Sequence, residues 1–254
     1  MTEESVETLY LLGKEHLIVG VSAYVERPAQ AQKLPKISAF THANIKKILS
    51  LKPDLVLGFS DIQKDIAREL IGLGVNVFIS NQRSLDEILD YILLLGSIVG
   101  AQERARKLIL KLQKKRIRAC AKAMQLKRRP RVYLEEWDDP MICGIRWFSQ
   151  LVEECGAIDI CGKWSQESLG KDRIVDKDFV ARANPDIILG CWCGKKVDRD
   201  AFAKRPGWKS LNAIKESDVY ELDPAIFLQP GPAPFLEGLD ILGQLFWQWS
   251  RKAD

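Results

Sequence analysis

The sequence predicts an α/β protein of two similar lobes, each a parallel sheet covered by helices, joined by one long helix, with a ligand cleft between the lobes. Three observations carry that reading. A phrase occurs twice, ILSLKPDLVLG at residues 48–58 and VARANPDIILG at residues 180–190. Pro53-Asp54 and Pro185-Asp186 each follow a helix-like stretch and precede an apolar run that ends in glycine. Around both copies, short apolar segments alternate with helical ones, the pattern of a parallel sheet buried by helices. Between the copies lies a long amphipathic segment without a Gly/Ser-rich hinge. The boundaries expected are an N-terminal lobe over 1–100, a bridging helix over 101–128 and a C-terminal lobe over 129–254. Clefts at the junction of such lobes are a common place for ligands.

The elements follow in order. Val6, Leu9, Tyr10 and Leu12 have helical spacing, and Gly13 lets the chain turn. Leu17–Val21 reads as a short buried strand. Asn44 caps a short helix over Ile45–Leu51, which Lys52-Pro53 ends because a residue before proline avoids the helical region. Leu55–Leu57 reads as a strand, Ile62–Leu73 as a helix and Val75–Ile79 as a strand. Ser84-Leu85-Asp86-Glu87 fits a capping box that opens a helix to about Val99. Ala105, Leu108, Leu112, Ala119, Ala123 and Leu126 form one apolar stripe on the next helix, about 39 Å long. In the second lobe, Arg131–Leu134 reads as a strand followed by the acidic turn Glu135–Pro140. An amphipathic helix over Trp147–Cys155, the repeated helix and strand, a strand over Val219–Leu222 and a closing helix over Phe235–Trp249 complete it.

The composition, 46% hydrophobic and 28% charged over 254 residues, is that of a folded globular chain. The longest apolar stretch, near Ile92–Gly100, is too short to span a membrane. The opening MTEESVETLYLLG has acids where a secretory leader is basic, so a cytoplasmic location is expected. The six cysteines are read as reduced, mostly small core residues. Residues 102–131 hold thirteen Lys or Arg against one acid, Glu103. No aromatic is interleaved to stack bases or enter lipid, which favours a solvated helix face.

Enzyme signatures are missing. There is no nucleophile elbow, phosphate loop, dinucleotide fingerprint or H-E-x-x-H, so a non-catalytic protein is expected. The acids Glu135, Glu136, Asp138 and Asp139 offer an acid–base group or a hard-cation site, against solvated acids in a turn, which is favoured. Cys191-Trp192-Cys193 is a weak metal signal, and no metal site is assigned. The aromatics are more telling. Trp137 and Trp192 follow the carboxyl ends of strands, where open α/β sheets bind ligands. Tyr24 and Phe59-Ser60 hold the matching places in the first lobe. Such aromatic walls suit a large, flat, partly apolar ligand.

GVSAYVERPAQAQKLPKISAF (20–40), KILSLKPDLVLGFSD (47–61), GLGVNVF (72–78), the WDDP segment with GIRWFSQLVEECG (144–156) and PDIILGCW together resemble the helical-backbone, class III substrate-binding proteins of ABC importers. The likeness is to the cobalamin-binding branch and covers nearly the whole chain. It implies two Rossmann-like lobes on one backbone helix, with Tyr24, Phe40, Phe59, Ser60, Trp137, Trp147, Trp192 and Phe227 lining the cleft. The ligand implied is cobalamin or a related corrinoid, with no catalytic cofactor, no nucleic acid and no membrane insertion. Family members open with one more strand before the segment matched by Thr2–Gly13, and carry an export signal and acids that dock an ABC permease. Here the docking positions fall at Lys64 or Asp65 and at Leu228, which weakens that partner. The expectation is a short, signal-less corrinoid carrier in the cytoplasm. The alternatives are an importer component whose start lies upstream, and an enzyme acting on a bound corrinoid or metal chelate.

Overall fold

The computed structural model describes residues 1–252; the last two positions of the expected C-terminal lobe lie outside the described residues. The chain divides into two compact units. Unit 1 comprises Met1–Gln82 and Asp86–Lys111, and unit 2 comprises Arg83–Leu85 and residues from Leu112 onward.

Unit 1 opens with α1 (Glu3–Leu11), then β1 (Val21–Ser22), β2 (Lys36–Ala39), β3 (His42–Ala43), α2 (Ile45–Ser50), β4 (Val56–Phe59), α3 (Lys64–Gly72), β5 (Val77–Ser80) and most of α4 (Leu85–Ile98). Its strands form two sheets, β1-β2-β3 and the parallel pair β4-β5. The strand expected over Leu17–Val21 is a correction: Glu15–Leu17 is a short 3-10 turn and only Val21 belongs to β1. Leu17 and Val19 are exposed, so the apolar run is not a buried strand. The Met1 ammonium is buried and donates to the Leu57 carbonyl at 2.6 Å. Burial lowers its pKa, because the charged form loses its water.

α5 (Gln102–Ala123) is shared between the units, with its residues through Lys111 in unit 1. Its 22 residues give about 33 Å, shorter than expected because Met124 to Pro130 lie outside the helix. The stripe named from the sequence is its inward face: Ala105 and Leu112 are fully buried and Leu108 nearly so.

Unit 2 continues with β6 (Arg131–Asp138), β7 (Met141–Cys143), α6 (Arg146–Glu154), β8 (Ile158–Asp159), α7 (Lys177–Ala183), β9 (Ile187–Gly190), α8 (Arg199–Lys204), α9 (Asn212–Lys215), β10 (Val219–Glu221), α10 (Pro224–Phe227) and α11 (Leu239–Trp249). One sheet runs β10-β9-β6-β7, with β8 also on β6. β6, β9 and β10 are parallel, while β7 folds back on β6 as a hairpin. The sequence stopped β6 at Leu134; the strand runs four residues further and takes in Glu135, Glu136, Trp137 and Asp138. β9 lies inside the sheet, and all four of its residues are buried.

Both copies of the repeat have one local geometry. α2 and α7 each end in a left-handed residue just before Pro-Asp, Lys52 at φ 47° and Asn184 at φ 44°. The proline therefore does end each helix, but through a left-handed turn rather than the extended one expected. Asp186 then ties the phrase to the sheet by accepting from the Arg131 N–H at 2.9 Å.

Candidate functional site

Three of the four acids of Glu135–Asp139 are paired rather than solvated, which corrects the sequence reading; only Asp139 is the exposed turn acid expected. Three of them lie on β6, and each meets a cation from a different later segment. Glu135 is fully buried and takes a bidentate pair from Arg205, Nη1 at 2.6 Å and Nη2 at 2.8 Å. It also accepts from the Tyr133 hydroxyl at 2.9 Å and the Trp192 indole N–H at 3.1 Å. Burial pushes the Glu135 carboxyl above its usual range, and Arg205 opposes that shift. Glu136 accepts from Arg173 at 2.8 Å and from the Ile145 N–H at 2.6 Å, which fixes the start of α6. Asp138 pairs with Lys195 at 2.5 Å. Burial alone would raise the Asp138 pKa, but the Lys195 hydrogen bond wins and holds it below the usual value. Asp139 sits exposed at the turn between β6 and β7.

These pairs set the aromatics of unit 2. Lys195 places its ammonium 4.3 Å from the Trp137 ring and 4.9 Å from the Trp192 ring, so the two indoles share one cation. Trp137 stays half-buried, its N–H donating to the Asp139 carbonyl at 2.9 Å. Trp192, 3% exposed, belongs to the core with Phe202 and Trp208. Trp147 is equally buried and donates to the Phe227 carbonyl at 2.9 Å, while Phe227 packs on Phe148. Among the aromatics named for unit 2, only Trp137 thus offers ring surface to solvent.

In unit 1, Tyr24 is 55% exposed and Phe40 51% exposed, the latter at φ 40°. Phe59 is half-buried at the carboxyl end of β4, and Ser60 is buried at φ 68°. Gln63 links these places: its amide donates to the Phe40 carbonyl at 2.9 Å, and its side-chain oxygen accepts from the Phe59 N–H at 3.1 Å. Gln63, Lys195, Arg173 and Arg205 escaped the sequence reading. Nothing in their local spacing marks them, because their roles come from segments distant in the chain. Of the docking positions, Asp65 is exposed and pairs with Arg68 at 3.3 Å.

Cys191 is buried, and burial raises its pKa well above the free value; Cys193 is exposed. Among the described residues no group of three or more His, Cys, Asp or Glu side chains is arranged to hold a metal ion. No described helix is long and apolar enough to cross a membrane.

The family model described as periplasmic binding protein matches residues 1–226. The chain belongs to that family. Its members are the non-enzymatic substrate-binding components of transporters, so the enzyme alternative is set aside. An uncharacterised ABC transporter substrate-binding lipoprotein of Bacillus subtilis is 28% identical over 94% of this chain and 76% of its own length. The vitamin B12-binding protein of Vibrio cholerae is 28% identical over 91% of this chain and 82% of its own. Among solved structures, the periplasmic heme-binding protein RhuT of Roseiflexus superposes with a TM-score of 0.84 at 21% identity, covering 98% of this chain and 97% of that one. That likeness confirms the α/β fold. The cytoplasmic location expected from the sequence finds no support, since the relatives are periplasmic or lipoprotein binding proteins.

Proposed function

We propose that this chain binds cobalamin or a related corrinoid and delivers it to an ABC permease. The observation that carries the reading is the 28% identity to a protein named vitamin B12-binding protein, spread over 91% of this chain rather than confined to one segment. The site chemistry agrees. Tyr24, Phe40 and Phe59 in unit 1, and Trp137 in unit 2, carry ring surface that is exposed or half-buried near the ends of strands. A corrin macrocycle presents broad apolar faces that such rings pack against. Ser60, Trp147, Trp192 and Phe227 would support these contacts from beneath, through the packing and hydrogen bonds described above.

Calorimetric titration with cyanocobalamin, cobinamide and haemin tests the reading. Saturable binding of both corrinoids is expected. Binding of haemin alone, or of none of the three, would contradict it.

A further inference from the structure

Unit 1 contains a slot with a strand edge on each side, and its reading does not depend on the corrinoid one. An open cavity of about 330 Å³ has Gly20, at the start of β1, on one wall and Leu55 and Leu57, along β4, on the other. β1 is an end strand of its sheet, and β4 is paired only by β5. On β4 the Val56 N–H donates to the Asn76 carbonyl and the Ser60 N–H to the Ser80 carbonyl. Alternate residues of a parallel strand bond to one side, so Leu55 and Leu57 turn their backbone groups away from β5. On β1 the Val21 N–H donates to Pro35 and the Ala23 N–H to Ser38, so Gly20 and Ser22 turn theirs away from β2. On the β4 wall the Leu57 carbonyl is met, by the Met1 ammonium at 2.6 Å. The slot is apolar on both faces of the sheet. Val56 belongs to a core cluster with Ile48, while Leu57, pointing the other way, packs with Leu9 and Leu95.

We propose that this slot takes a β-strand of the protein's own chain that leads directly into α1 and joins β1 to β4 in one continuous sheet. Two strand edges that face one cavity each present a row of N–H and C=O groups. An extended peptide satisfies both rows at once, which no helix or compact ligand does. The apolar faces call for a run of Val- and Ile-type residues about as long as β4, since a strand covered on both sides is apolar throughout. Met1 fixes the source. Its nitrogen already makes the bond to Leu57 that a neighbouring strand residue would make, and the chain continues from it into α1 at Glu3. A separate segment would have to end against this ammonium. A peptide bond at the same nitrogen keeps the hydrogen bond and removes a charge that burial disfavours.

The test begins with hydrogen exchange on the 254-residue chain. The Leu55 and Leu57 amides should exchange at least about tenfold faster than those of Val56 and Gly58, because only the latter are bonded to β5. Equal protection would close the edge and overturn the proposal. The second step fuses Lys-Val-Ile-Val-Val directly before Met1. It should slow the two amides by about tenfold or more and raise the melting temperature by about 5 °C or more. Lys-Val-Pro-Val-Pro in the same place has the same length and charge but lacks two N–H donors, and should do neither. No rise with the first extension, or an equal rise with both, overturns the proposal. The third arm adds the first sequence as a separate, acetylated and amidated peptide at equimolar concentration. No shift is expected, because only the tethered strand has a high effective concentration. A shift equal to that of the fused strand would mark a docking site for another chain and overturn the assignment to this one.

Discussion

In unit 1 the repeated strand β4 is paired on one edge by β5, and its residues alternate between buried and half-buried. Its counterpart β9 in unit 2 lies between β6 and β10, and every residue is buried. The two strands follow nearly the same words in the chain, so the difference is positional: an inner strand loses both faces to packing, whatever its local sequence. The buried glutamates differ in the same sense. Glu135 beside β9 accepts four hydrogen bonds, two of them from one bidentate arginine. Glu4 in unit 1 is 2% exposed, yet one of its oxygens has no hydrogen-bond partner. Burial pushes the Glu4 carboxyl up to about 7, with the nearby Glu3 adding to the shift. Burial pushes both carboxyls up, and a bidentate arginine opposes the shift only at Glu135.

The largest expected effect comes from breaking the paired case. Arg205→Ala leaves Glu135 charged and buried without its cation, and should cost about 3–5 kcal/mol in denaturant unfolding. Adding Glu135→Gln should recover part of that loss. No recovery would mean that Arg205 acts by packing on Phe202 and Trp208, over which it sits at 4.7 Å.

The unpaired case has the opposite sign. The folded state holds the Glu4 proton more tightly than the unfolded state does. Stability is therefore fully present below the unfolded value of 4.5 and falls as pH rises to about 7. Glu4→Gln should remove that decline and stabilise the protein above pH 7 by an amount on the order of 3 kcal/mol. A variant that follows the parent's pH profile would show that Glu4 stays solvated in solution.

The smallest effect distinguishes the two turns. Lys52→Asn should stabilise by roughly 0.5 kcal/mol, because Asn tolerates the left-handed region better than Lys. Asn184→Lys should cost more, about 1–2 kcal/mol, since the Asn184 side chain also accepts from the Asn212 N–H at 2.9 Å. Equal and opposite changes would mean that this hydrogen bond contributes nothing.

How far the sequence reached follows from what is local. The repeat, the helix cap at Asn44 and the inward stripe of α5 depend on neighbours a few residues away and are legible in the sequence. The Asn44 cap, for instance, is realised by a bond from the Lys47 N–H at 2.9 Å. The short apolar run Leu17–Val21 misled because periodicity does not tell a buried strand from an exposed turn. The acids of β6 misled for a different reason. Their partners lie 37, 57 and 70 residues on, a distance over which nothing in the spacing links them. The aromatic residues were located at the right ends of strands, but their depth depends on the sheet around them. That is why Trp192 and Trp137, alike in sequence position, differ in exposure.

The accessible rings, not the buried ones, are expected to meet the proposed corrinoid. Calorimetric titration of Trp137→Ala with cyanocobalamin, beside the parent, tests it most directly. A Kd raised by about tenfold or more is expected, at an unchanged melting temperature, because a half-buried ring packed on a flat ligand carries much of the contact. An unchanged Kd would contradict it and move the site away from the end of β6.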